Sequence, residues 1–366
     1  MRTNKKRRII KKIEMGNKRL KYIQKRSGDN IIIEKKPIPL EDDIPKSKVK
    51  SASEIKIERV RQIQGFNTHK LPPITNRRPK ICLLYDSVGW AYYNKSIALK
   101  KYLSEYYDVE IIKYTSITND KQYDVIISYN PHVITSIRNS QKLITGVSSK
   151  FNDIKLTYKR GYSFSNDFNM FNKLKSPKTY YLPNGVDTKF FKTNKERVIN
   201  KDNISIGLVA SSSRAKHKGV ERIAEICEIL KQRGYNVKNR ALVTAPRSRI
   251  LTRQEMIKYY ENIDIFIVSS VSENTPNPLL EAMSMGVPCI SNNVGMANLL
   301  LDNIKTGFLT ESYENINFYV EHIETLINDT ELYSIVSKES RVKIQEYDWS
   351  KMALKYKEMI DKFLGL

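Results

Sequence analysis

Cysteine is scarce in this chain, and what is scarce narrows the reading first. Cys82, Cys227 and Cys289 are the only three in 366 residues, and none belongs to a CxxC pair. Such scattered thiols build neither a disulfide framework nor a zinc site and read as buried core thiols in a reducing compartment. The four histidines show no metal-ligand spacing. No apolar run approaches the ~18 residues that cross a bilayer. The N-terminus is basic but has no continuous apolar stretch behind it, so no secretory signal is predicted. Together these absences predict a cytoplasmic protein that can lie against a membrane surface but not span it. Acid is short as well: 39 Asp and Glu stand against 63 Lys and Arg, a net charge of +24.

The charge is uneven. Residues 1–80 carry 24 basic and 8 acidic side chains, a net +16, which leaves +8 for the rest. Met1 to Arg26 alone holds twelve basic residues and one acid, Glu14. Ile9, Ile10, Ile13, Leu20 and Ile23 fall roughly on one helical face, so a basic, weakly amphipathic helix is expected, interrupted by Gly16. Ser27 to Pro79 mixes prolines with both charges and keeps no period, which predicts an extended or disordered linker. A segment this basic is either a solvated extension or an arm for an anionic partner, membrane surface or nucleic acid. Having Tyr22 as its only aromatic residue argues against base stacking on single strands.

The rest of the chain is organised around Asp264 to Gly295. Asp264–Ser270 is a short β-branched run, hence a buried strand. Val271–Pro276 is a loop. Asn277 reads as an N-cap with Pro278 in the first helical position, where a missing N–H costs nothing. Leu279–Met285 continues the helix, Gly286 stops it, and Val287–Ser291 is a second buried strand. A strand, loop, helix and strand in this order demand a parallel sheet with a right-handed crossover. Glu273 lies in the loop at the strand's carboxyl end and Glu281 in the helix's first turns. Ligands of open α/β sheets bind at that edge, and a helix N-terminus there favours anions.

Glu273, seven residues, then Glu281 resembles the E-x7-E signature of retaining glycosyltransferases of the GT-B fold, family 4-like (glycosyl transferases group 1). The likeness extends across SENTPNPLLEAMSMGVPCISNNVG. In that family the first glutamate contacts the donor sugar and the second holds the ribose, roles that fall here to Glu273 and Glu281. Tyr180–Asp187 (YYLPNGVD) resembles the hinge segment that leads into the C-terminal domain. Lys218-Gly219 matches the family's Lys-Gly pair in the loop that neutralises the donor diphosphate. The family arginine stands five residues before that lysine, where this chain has Ser213; Arg214 is one residue closer and is its stand-in. Asp86-Ser-Val-Gly-Trp90, after the strand Lys80–Tyr85, resembles a turn of one family subset, with Gly89 permitting close approach of a ligand. His132 falls where family members often carry a histidine near the sugar. The family places a glutamate three residues past Gly295, and this chain has Asn298.

The resemblance covers about Lys80 to Leu366. It implies an α/β chain with two Rossmann-like parallel-sheet domains facing a cleft. The expected boundaries are a basic extension and linker at 1–79, an acceptor domain at 80–183, and a nucleotide-sugar domain at 184–347. Residues 348–366 form a helix returning to the first domain. The expected activity is transfer of a sugar from a nucleotide-diphosphate sugar to an acceptor hydroxyl with retention and without a metal or other cofactor. Glu273 and His132 would be catalytic. Lys218, Arg214, Glu281, Asn277 and Gly89 would bind the donor. Outside the basic tail no DxD-like pair sits in a plausible loop; Asp42-Asp43 lies within that tail. Two rival readings remain open: a transferase that modifies a hydroxylated DNA base, and a non-catalytic polyanion-binding protein on the same fold.

Overall fold

The computed structural model describes residues 9–15, 18–27, 30–37, 77–117, 120–129, 137, 141–147, 162–174, 177–244 and 251–366. Three strands, β1 (Ile9–Met15), β2 (Lys18–Ser27) and β3 (Asn30–Pro37), pair antiparallel as a separate small sheet. This corrects the helix expected in the basic segment and, as far as Pro37, the linker expected over Ser27–Pro79; residues 38–76 of that linker lie outside the described residues. The register pairs Met15 with Lys18 and Ser27 with Asn30, so each connection is two residues long. Those residues are Gly16-Asn17 and Gly28-Asp29, glycine-led pairs suited to two-residue hairpins. The isoleucine run 31–33 also favours strand over helix.

The first large sheet has six parallel strands in the order β5-β4-β6-β7-β8-β9. They are β4 (Lys80–Tyr85), β5 (Asp108–Lys113), β6 (Val125–Ser128), β7 (Leu143–Val147), β8 (Ser163–Ser165) and β9 (Thr179–Tyr181). The runs KICLLY and VIIS are buried on both faces, as parallel strands between helical layers must be. Helix α1 (Ala91–Leu103) follows β4 and buries Lys95, Leu99 and Leu103, which are spaced at i, i+4 and i+8. Helix α2 (Phe168–Lys173) is capped by Asp167, whose carboxylate accepts from the amides of Asn169 and Met170.

The second sheet has five parallel strands in the order β11-β10-β12-β13-β14: β10 (Ile204–Ser211), β11 (Val237–Thr244), β12 (Ile265–Val268), β13 (Cys289–Asn292) and β14 (Phe308–Thr310). In chain order its helices are α3 (Ala215–Lys218), α4 (Val220–Gln232), α5 (Arg253–Glu261), α6 (Asn277–Ser284), α7 (Ala297–Leu300), α8 (Ile316–Asn328) and α9 (Thr330–Ile344). Cys82, Cys227 and Cys289 are all buried and free, as expected of core thiols.

Two crossings join the halves. Val186 donates to the Tyr347 carbonyl at 3.0 Å, and Trp349 donates back to the Val186 carbonyl at 3.1 Å. Thr188 gives Asp348 a backbone and a hydroxyl hydrogen bond at 3.1 and 2.7 Å. A Cβ on Gly185 would lie 2.7 Å from the Trp349 ring, so glycine is required for this close packing. Helix α10 (Trp349–Leu364) then returns to the first half. It buries Met352, Ala353, Tyr356, Ile360 and Phe363 in the same cluster as Leu99 and Leu103 of α1, so the helix expected over 348–366 does pack back on the first half.

Candidate functional site

The strand orders locate the site. In the second sheet β10 lies between β11 and β12, so successive connections leave β10 in opposite directions and open a crevice at the carboxyl ends of β10 and β12. The connection after β10 carries Arg214 on a 3-10 turn and Lys218 at the end of α3, and the loop after β12 carries Glu273. Lys218 and Glu273, 55 residues apart in sequence, form an ion pair. Ser270 Oγ donates to the same carboxylate oxygen at 2.7 Å. Glu273 is 9% exposed, so the pair lies largely out of water, where its charges act strongly.

Several contacts sew the two loops together. Gly219 has φ 87°, and a Cβ there would lie 2.1 Å from Ser269 Oγ, so the lysine must be followed by glycine. His217 accepts through its carbonyl from the Val271 amide at 2.9 Å, and its ring Nε2 lies 2.9 Å from the Ser272 carbonyl. Arg222 donates to the Ser269 carbonyl at 3.0 Å. Behind the loop, Gly295 leaves room for backbone, because a Cβ there would meet the Asn274 carbonyl at 2.5 Å. Within this loop the side-chain oxygens Asn274 Oδ1 and Thr275 Oγ1 are buried without a hydrogen-bond partner.

The second glutamate is one face away. Helix α6 begins at Asn277 after Pro276, one residue earlier than the sequence pattern suggests. Asn277 does not cap it; its side-chain oxygen instead accepts from Asn184 Nδ2 at 3.1 Å. Glu281 lies one turn further along and accepts from the Tyr260 hydroxyl at 2.8 Å. Burial pushes the Glu281 carboxyl up to about 7, against the opposing pull of the Tyr260 hydrogen bond and the Arg253 charge. Asn277, Glu281, Arg253 and Asn184 line a cavity of about 230 Å³, whose opposite wall is the start of α1 with Ala91, Asn94 and Lys95. The cavity therefore lies between the two halves.

The expected residues divide into three groups. Lys218 and Glu273 are in direct contact, and Asn277 and Glu281 share the cavity wall. Arg214 is exposed on the short 3-10 turn Ser212–Arg214 in the Lys218 loop. Gly89 adopts φ 78° in the loop before α1, whose first residue, Ala91, reaches the cavity. His132 lies outside the described residues.

Sequence reasoning missed Arg253, Asn184 and Lys95. Arg253 pairs with Asp187 at 3.1 Å and stacks on Phe190 with its guanidinium carbon 4.0 Å from the ring centroid. It sits next to Thr252 in a capping box with Glu255, a signal legible in the T-x-x-E spacing. Lys95 occupies an apolar position of α1, which its i, i+4, i+8 spacing with Leu99 and Leu103 could have revealed.

Residues 249–343 match the family model of glycosyl transferases group 1. The capsular polysaccharide biosynthesis glycosyltransferase CapM of Staphylococcus aureus is 26% identical over 186 residues, 44% of this chain and 48% of that protein. The UDP-Gal:alpha-D-GlcNAc-diphosphoundecaprenol alpha-1,3-galactosyltransferase of Escherichia coli is 36% identical over 81 residues, 22% of this chain and 20% of that protein. The chain thus matches less than half the length of these curated relatives. Among solved structures, Anabaena Alr3699/HepE in complex with UDP and glucose superposes with a TM-score of 0.60 at 13% identity, over 78% of this chain and 100% of that one. Sucrose-phosphate synthase from Thermosynechococcus elongatus gives 0.61 at 14% identity, over 79% and 100%. At such identities it is the fold that is shared. The chain has the GT-B fold, and its residues 249–343 match the model of glycosyl transferases group 1.

Proposed function

We propose that the protein is a retaining glycosyltransferase that moves a sugar from a nucleotide-diphosphate sugar to an acceptor hydroxyl without a metal. The observation that carries this reading is the Lys218–Glu273 pair at the β10/β12 crevice, with Glu281 one helical segment away on a cavity between the halves. Lys218 meets the diphosphate and, with Arg214, offsets the charge that grows as it leaves. Glu281 accepts from the ribose. Glu273 holds the sugar. The E. coli relative is named for a UDP-Gal donor and the Anabaena neighbour is solved with UDP. Both favour a uridine donor over a guanosine one.

In the reaction, the bond from the sugar's anomeric carbon to the diphosphate oxygen breaks, and a bond to the acceptor oxygen forms on the same face. The acceptor's proton passes to the departing phosphate oxygen. His132, which the resemblance sets near the sugar, lies outside the described residues. Lysine and arginine supply the positive charge that a metal would otherwise bring, so chelator should leave the rate unchanged.

Thermal melts of the full chain with UDP, GDP and their sugars test the donor half of the reading. A ligand at a hundred times its Kd stabilises by about 2.7 kcal/mol. An upward shift with one nucleotide series, together with slow release of free sugar, is the expected result. No shift with any uridine or guanosine diphosphate would sink it.

A further inference from the structure

The small sheet β1-β2-β3 hydrogen-bonds to neither of the larger sheets. Its register sorts the strand residues by face, because antiparallel partners share a face and successive residues alternate. Ile9, Ile13, Leu20, Tyr22, Ile31 and Ile33 fall on one face, together with the basic residues Lys11, Lys18, Arg26 and Lys35. Both acids of these strands, Glu14 and Glu34, fall on the other face, where Lys12, Lys21 and Lys36 share one register level. One face is thus apolar, basic and free of acid. The other is polar and of mixed charge.

A lone three-stranded sheet gains its stability by covering an apolar face, and the charge on this face selects the cover. Duplex nucleic acid is gripped through its phosphates by cations and polar groups, and apolar rows add nothing there. A single strand calls for several aromatic faces, and Tyr22 is the only aromatic residue of the segment. An anionic bilayer meets both demands at once: its headgroups take the basic residues and the acyl boundary takes the apolar ones. Lys11 and Lys35 flank Tyr22 at a single register level, and tyrosine is a residue that settles at headgroup depth.

We propose that the face of β1-β2-β3 carrying Ile13, Leu20 and Ile33 docks on the surface of an anionic membrane. The contact is from one side, since among the described residues no helix is long and apolar enough to cross a membrane. Docking by this face is independent of which reaction the two halves catalyse.

The test is co-sedimentation of the full chain with two kinds of vesicle, phosphatidylcholine alone and phosphatidylcholine with about a quarter phosphatidylserine, beside a band shift on duplex DNA. Wild type should bind the mixed vesicles and lose most of that binding on the neutral ones. Each cation held at an anionic surface strengthens binding about fivefold, so Lys11→Gln with Lys35→Gln should weaken it about 25-fold. Lys12→Gln with Lys21→Gln removes the same charge from the far face. That face stands beyond a Debye length of about 8 Å from the headgroups, so the loss should be about threefold or less. A second measurement does not depend on losing binding. Ile33→Trp and Ile32→Trp put a reporter on opposite faces, above a background shared with Trp90 and Trp349. Brominated lipid should quench the added fluorescence of Ile33→Trp and spare that of Ile32→Trp. Equal losses in the two double variants, or equal quenching at both positions, would overturn the assignment of the face. Absence of binding to the mixed vesicles, or tighter binding to duplex DNA than to them, would overturn the membrane as the partner.

Discussion

Lys95 and Lys218 occupy matching places in the two halves and do opposite things. Each belongs to the first connection after the strand that opens its sheet, β4 or β10. Lys95 is 3% exposed, and its ammonium lies 4.7, 5.3 and 5.2 Å from the ring centroids of Tyr129, Phe164 and Tyr356. It donates to Asn166 Oδ1 at 3.0 Å, and among the described residues no carboxylate pairs with it. Burial holds its pKa well below the usual lysine value. Lys218 is partly exposed and pairs with Glu273. One cation is an interior post linking α1, the sheet and α10. The other stands at a crevice beside a carboxylate. Topology therefore assigns position, while the surrounding shell decides whether a charge is structural or available to an anion.

The sharpest way to break that contrast is to remove the exposed pair as a unit. Lys218→Ala alone would leave a buried carboxylate without its counter-ion, held only by the Ser270 hydroxyl, at a cost of about 1–3 kcal/mol, which confuses stability with function. The double variant Lys218→Met with Glu273→Gln removes both charges and keeps the volumes. We expect a melting temperature close to wild type and sugar transfer reduced at least 100-fold, since a preorganised charge at a reacting centre is worth about that much. Wild-type turnover in the double variant would make this pair as structural as Lys95.

How much of this was legible follows from where each signal lives. Strands such as KICLLY and IFIV announce themselves by continuous β-branched and aliphatic residues. Lys218-Gly219 and Glu273 were legible through their resemblance to family motifs, the Lys-Gly pair and the E-x7-E spacing to Glu281. The pairing of Asn184 with Asn277 was not, because it joins residues 93 apart through side chains that each look like ordinary turn formers. Lys95 hid for a related reason: its cage comes from the residue after β6, from β8 and from α10, and no local window contains all three. The basic segment failed differently. Its isoleucines fall on one helical face, but the same β-branched residues suit paired strands, and the two glycine-led pairs between the strands decide for hairpins.

A second, smaller effect sets Glu281 against His322, buried groups of opposite type in one half. Glu281 is raised from 4.5 to about 7 by burial, so the folded chain keeps a proton that the unfolded chain has already released. Its contribution to stability therefore falls as pH rises from 4.5 to 7 and is level above. Stacked on Phe318 at 4.0 Å, His322 is lowered from 6.5 to about 4 by burial, so stability falls as pH drops through that window. The slopes oppose between 4.5 and 6.5. Denaturant titrations across pH should show Glu281→Gln uncovering the histidine slope. Nucleotide affinity should weaken by up to about tenfold per pH unit below 7 in wild type, because ribose hydroxyls prefer the charged carboxylate. Glu281→Gln should bind more weakly and without that slope. A wild-type affinity flat from pH 5 to 8 would remove Glu281 from the ligand.

The smallest expected effect tests the other side of the comparison. An ammonium buried without a counter-ion loses hydration that aromatic faces return only in part, even at about 2 kcal/mol per desolvated contact. Lys95→Met has similar length, fills the cage, and sets sulfur against rings that welcome it. The variant should fold, with stability at pH 7 within about 1 kcal/mol of wild type or slightly above it. The sign of the pH dependence is the decisive part. A lysine whose folded pKa is depressed costs stability wherever the unfolded chain is protonated and the folded one resists it. The cost shrinks as pH climbs toward 10.5. Wild type should therefore gain on Lys95→Met between pH 7 and 10, and the difference between the two curves isolates this residue from other titrating groups. Lys95→Ala, which empties the cage, should cost about 2–4 kcal/mol more than Lys95→Met through lost packing, with the same pH slope against wild type. If Lys95→Met instead keeps its melting temperature but abolishes sugar transfer, the caged ammonium is part of the working site, and the two lysines differ in depth rather than in kind.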